Sequence, residues 1–155
     1  MASSFSSSGW ALTVAAIIER EGRFLVVEET DGVSPERVLN QPAGHVDPGE
    51  SVLAAVVRET REETGLDFTP EALVGIYPLR AANGRDYFRL CFTGTVPAGA
   101  KAAPEDPDIL ACHWRTRAEL AAAPLRSSLV LTCLDDALAG RRFPLDLVAE
   151  IRAER

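Results

Sequence analysis

The stretch "RETREETG", residues 58–65, has five charged side chains in eight positions, three of them the glutamates Glu59, Glu62 and Glu63. On a helix advancing 100° per residue, these carboxylates fall within an arc of about 100°. Carboxylates this close repel one another and raise the pKa of at least one unless a cation compensates. Hard divalent cations such as Mg²⁺ or Mn²⁺ take oxygen ligands of this kind. A charge run can equally be a solvated helix face, so the neighbours must decide. Val52, Leu53, Val56, Val57, Thr60 and Thr64 fill an adjoining arc of roughly 140°, the expected core-facing stripe. The glutamates flank that stripe and Glu63 overlaps its edge, whereas a purely solvated face would lie opposite it.

The preceding stretch, "PAGHVDPGE", adds Gly44 and Gly49, which permit unusual backbone angles, and Glu50 close to the helix start. A turn-rich loop feeding a helix N-terminus suits phosphate oxygens and can lend a carbonyl to a metal. Loop and helix together describe a metal–diphosphate site.

Gly44, five residues, Glu50, seven residues and "RETREETGL" resemble the Nudix box, G-x5-E-x7-R-E-U-x-E-E-x-G-U with U bulky and apolar. Eight specified residues match across 44–66, and the first U is Thr60 instead. Thr60 falls in the apolar stripe, where its hydroxyl can bond the Val56 carbonyl. The resemblance implies a Nudix hydrolase, an α/β (α+β) chain folded as an α/β/α sandwich with a mixed sheet. By the family pattern Glu59, Glu62, Glu63 and the carbonyl of Ala43 bind the metal, Mg²⁺ or Mn²⁺, while Arg58 and Glu50 orient the cluster. "FLVVEET", "NQPAGH", "LRSSLV", "GRRFPLDL" and Trp114 after an acidic loop are similar in order to the NudJ-type phosphatase branch. That likeness covers roughly 12–150 and implies removal of phosphate from nucleoside di- and triphosphates and from thiamine-type pyrimidine pyrophosphates. The alternatives are a nucleotide-sanitising or ADP-ribose-type pyrophosphohydrolase and, in another class, a non-catalytic nucleotide-sensing module. Such a module would show damage among the box glutamates, and here they are intact.

The elements that position this site read as follows. "ALTVAAIIE" and "RFLVVEE" form a hairpin around "REG". "RVLNQP" is a short strand ending at Pro42, and "AGHVDPGE" is a loop. A helix starts near the N-cap Ser51, runs to Thr64 and stops at Gly65. "LVGIYPL" and "DYFRLCFTGTV" are strands around "AANGR", and "ILACHW" is another. "TRAELAAA" and "SSLVLTCLDDALAG" close the chain as helices. Residues 1–8 are expected to be a flexible tail, and 9–155 one domain.

Composition narrows the partners. With a net charge of −7 and no basic run, the chain lacks the footprint of a nucleic-acid polymer binder. The Ser-rich start is not a signal peptide, and no apolar run approaches the ~20 residues needed to cross a bilayer. Cys91, Cys112 and Cys133 are widely spaced and read as free thiols, consistent with the cytoplasm. A small diphosphate is the expected partner, and a monomer the default. Further substrate candidates are Asn40, Gln41, Gly44, His45, Tyr87 and Arg126. Glu105, Asp106 and Asp108 in "PEDPD" are candidates for an extra acid or base.

Overall fold

A computed structural model describes residues 9–81 and 84–153. The tail at 1–8 and two residues of the "AANGR" turn, Ala82 and Asn83, lie outside the described residues. Strand β1 (Ala11–Arg20) turns into β2 (Arg23–Thr30) through Glu21 and Gly22, both at positive φ, as a two-residue hairpin loop requires. The two strands stay paired only beside the turn, at Glu19↔Phe24 and Arg20↔Arg23, and then diverge. The chain next bridges this split. Strand β3 (Arg37–Asn40) pairs antiparallel with β2, and after Gln41–Pro42 strand β4 (Ala43–His45) pairs with β1.

The helix α1 (Val52–Thr64) begins as the sequence predicts: the Ser51 hydroxyl accepts from Ala54 N–H, and Gly65 ends it in the left-handed region. Strand β5 (Thr69–Arg80) and strand β6 (Asp86–Thr95) form an antiparallel pair, and β6 runs parallel to β1. Strand β7 (Ala111–Arg115) pairs with the free side of β2. Helix α2 (Arg117–Ala121) opens with a capping box between Thr116 and Glu119, and α3 (Leu129–Leu138) follows. A 3₁₀ turn, Leu145–Leu147, lies in the segment quoted as "GRRFPLDL".

Alternate residues of β1 feed two cores. Val14, Ala16 and Ile18 pack with Val52, Ala55 and Val56 of α1, while Ala15 and Ile17 pack with Leu129, Cys133 and Leu134 of α3. This is the α/β/α layering expected from the sequence. Two expectations change. "AGHVDPGE" is not wholly loop, because its first three residues extend the sheet as β4. A three-residue strand is too short to show a period of two, so tertiary pairing decides it. The Thr60 hydroxyl does not bond the Val56 carbonyl: it is buried with no hydrogen-bond partner among the described residues, and it is the Thr64 hydroxyl that back-bonds, to Thr60 O at 2.6 Å.

An orphaned buried hydroxyl costs stability that an isosteric methyl does not. Thr60→Val should therefore stabilise the protein by about 1 kcal/mol in urea denaturation. Destabilisation would show that the hydroxyl has a role.

Candidate active site

The open edge of β4 organises the site. Ala16 N–H donates to Pro42 O and Val46 N–H to Leu12 O, so Ala43 and His45 turn their own N–H and C=O groups away from β1, into the split. Helix α1 lies along this edge and takes up two of those groups. Glu63 Oε2 accepts from Ala43 N–H at 3.0 Å, and Arg58 Nη2 donates to His45 O at 2.9 Å. Gly44 lies between them, where any Cβ would collide with the Glu59 carboxylate, 2.1 Å from its Cδ. The glycine is required by close approach, since its φ lies outside the left-handed region.

Arg58 gathers the remaining acids. Its Nε and Nη2 grip Glu50 at 2.8 and 3.0 Å, and its Nη1 meets Glu59 at 2.9 Å and Glu62 at 3.2 Å. The bidentate grip on Glu50 joins the turn before α1 to the helix itself. Arg58 is held firmly charged, chiefly by its hydrogen bonds to Glu50, while the same contact pulls Glu50 below the usual carboxylate range.

The other side of the cluster is short of positive charge. Glu63 is buried, at 7% exposure, and burial pushes its carboxyl up to about 9. The Ala43 N–H opposes that rise, while Glu29, Glu59 and Asp106 add to it through their negative charge. Glu59 is raised as well, mainly by burial and in spite of Arg58.

These residues fit a divalent cation. The donors are hard oxygens, Gly44 leaves room for Glu59, and a cation would relieve the unfavourable charge on Glu63. Among the described residues no three acidic, imidazole or thiol groups already converge as in a formed metal site. The reason is visible: Glu50, Glu59 and Glu62 turn towards Arg58, while Glu63 turns onto Ala43.

The remaining candidates separate. Asn40 is buried and donates to Glu29 at 3.3 Å, and buried Gln41 donates to Val130 O at 2.7 Å, fastening the split to α3. Arg126 reaches back to Thr30 O at 3.1 Å and Glu29 at 3.4 Å. The rings of His45 and Tyr87 lie 6.2 Å apart. In the acidic loop, the backbone N–H groups of Glu105 and Asp106 both donate to Glu62 O, at 2.9 and 2.8 Å. Asp106 acts on Glu63 electrostatically, Glu105 lies 3.7 Å from Arg61, and Asp108 N–H caps Asp106. Sequence reasoning missed Glu29, which touches Asn40 and Arg126 and bears on Glu63. Its signal was a pair of acids, Glu28 and Glu29, ending an apolar strand, where alternation sends one to each face.

The elevated Glu63 carboxyl predicts a pH dependence for the metal-free protein. Its folded pKa exceeds its unfolded value, so its stabilising effect is fully present below about pH 4.5 and is lost as pH rises towards about 9. The depressed carboxyls, Glu28, Asp31, Glu50, Glu119 and Asp135, titrate below this window. Denaturation midpoints in chelator should fall between pH 5 and 9, and Glu63→Gln should flatten that fall. An unchanged slope in the variant would contradict the assignment.

Comparison with known proteins agrees with this geometry. The NUDIX domain family model matches residues 9–131. "Phosphatase NudJ" of Escherichia coli strain K12 is 34% identical over 140 residues, 90% of each chain. A solved NUDIX hydrolase from Nitrosomonas europaea is 40% identical, with a TM-score of 0.86, and the match covers 92% of this chain and 98% of that one. An ADP-ribose pyrophosphatase from Streptococcus suis shares the fold at 23% identity and a TM-score of 0.67, covering 87% of this chain and 96% of the other. With the box spacing, the acid cluster on the edge of β4 and these relatives in agreement, the chain belongs to the Nudix family and is a Nudix hydrolase.

Proposed function

We propose that this hydrolase is a phosphatase, dependent on Mg²⁺ or Mn²⁺, that releases inorganic phosphate from nucleoside di- and triphosphates and from thiamine-type pyrimidine pyrophosphates. The observation that carries the reading is the likeness to Phosphatase NudJ over nine-tenths of both chains, which takes in the flanking motifs as well as the box. Glu59, Glu62, Glu63 and the Ala43 carbonyl would hold the metal. When bound, it neutralises diphosphate charge and lowers the pKa of a water.

The chain's own residues do the rest. Arg58, clamped to Glu50 and His45 O, keeps α1 and its carboxylates in register with β4. Asp106 is the member of the acidic loop whose charge acts on Glu63, and it would be suited to take a proton from the attacking water. Arg126, beside Glu29, can meet a phosphate oxygen, and the His45 and Tyr87 rings offer a surface for the organic group. Asn40 and Gln41 shape the floor of the split. Release of the terminal phosphate requires that the attacked phosphoryl group sit at the carboxylates with nothing bulky beyond it.

The test is product identity. With Mg²⁺, a nucleoside diphosphate should give phosphate and the monophosphate, and a triphosphate should pass through a transient diphosphate. EDTA should abolish turnover and added Mg²⁺ restore it. Pyrophosphate as the main product from a triphosphate would reject the phosphatase reading in favour of a pyrophosphohydrolase. Absence of turnover on any diphosphate by the folded, metal-loaded protein would favour a sensing module.

A further inference from the structure

Arg89 is a cation whose Nε has no hydrogen-bond partner among the described residues. It lies in β6 in one cross-strand row with Tyr77 of β5 and Thr13 of β1, and Thr13 is in turn opposite His45 of β4. Directly opposed residues share a face, so this row lies on the side of the sheet away from α1, the side to which α3 packs. Arg89 is half-buried, and its Nε is sealed from solvent without a hydrogen-bond partner. The acid that the row touches is already engaged: Asp136 of α3 takes the Tyr77 hydroxyl at 2.8 Å and Arg141 at 3.2 Å. Among the described residues no carboxylate forms an ion pair with Arg89.

A guanidinium N–H that loses water without gaining an acceptor costs stability. Among the described residues no acceptor reaches the Arg89 Nε, which leaves this guanidinium open to an acceptor supplied by a ligand. The row indicates where. It starts at His45, whose carbonyl holds Arg58 and whose neighbour Gly44 lies against Glu59, and reaches Arg89 two strand spacings away, roughly 10 Å. A diphosphate ester with one phosphoryl group at the carboxylates and its organic group near the His45 and Tyr87 rings, themselves 6.2 Å apart, would span that distance.

We propose that Arg89 is a substrate-binding residue that grips an oxygen of the phosphoryl group remaining with the organic moiety. The assignment rests on the phosphohydrolase reading and refines it: the carboxylate end handles the departing phosphate, and Arg89 recognises the phosphate that is kept. The planar fork of arginine suits two phosphate oxygens, and lysine would supply only a point charge.

Calorimetric titration with an α,β-methylene nucleoside diphosphate in Mg²⁺ separates the outcomes. Wild type should bind. Arg89→Met should bind on the order of tenfold more weakly or worse, and Arg89→Lys should fall between. Arg89→Met should also raise KM for the diphosphate far more than it lowers kcat, and should melt no lower than wild type. Equal affinity in wild type and both variants would overturn the assignment, as would a lower melting temperature of Arg89→Met with affinity retained, which marks a structural residue. If wild type itself fails to bind the analogue, the substrate reading falls and the Arg89 assignment with it.

Discussion

The structure depends on an edge strand left half-paired. Three residues of β4 bond to β1 on one side and turn a row of backbone polar groups to the other. A buried backbone donor such as Ala43 N–H must find a partner, and α1 supplies this edge with acidic and basic side chains. Glu63 accepts from Ala43 N–H, and Arg58 donates to His45 O. Satisfying the edge thus brings one end of a carboxylate-rich helix to where β1 and β2 part. The acids are oriented there by the same contacts that satisfy the edge, Glu63 by Ala43 N–H and the others by Arg58.

That arrangement explains why the cluster is tense without a cation. Arg58 balances Glu50 and shares Glu59 and Glu62, but Glu63 is left buried with Glu29, Glu59 and Asp106 as negative neighbours. A cluster that holds carboxylates near one another at a cost in charge suits a divalent cation, which would offset that desolvation and repulsion. Arg89 belongs to the same pattern across the sheet: its Nε has no partner among the described residues.

Much of this was legible in the sequence. The box spacing, the helix from Ser51 to Gly65 and the hairpin at Glu21–Gly22 follow from local chemistry, namely capping, left-handed glycine and turn preference. Non-local features were not. β4 is too short to signal itself, and it exists because the diverging β1 and β2 leave a gap to be bridged. Glu29 and Asp106 reach Glu63 only through the fold, and Arg89 looks like any polar strand residue until its neighbours are known. The Thr60 hydroxyl misleads because helix geometry allows back-bonding at either threonine, and it is Thr64, one turn on, that makes the bond.

The central claim is that the carboxylates on the edge of β4 form a cation site. Titrating chelator-stripped protein with Mn²⁺, and following free ion by electron paramagnetic resonance, tests it without any assumption about substrate. Saturable binding is predicted for wild type, with loss of that binding in a Glu59→Gln, Glu63→Gln double variant whose circular dichroism is unchanged. Equal Mn²⁺ uptake by the two proteins would contradict the account.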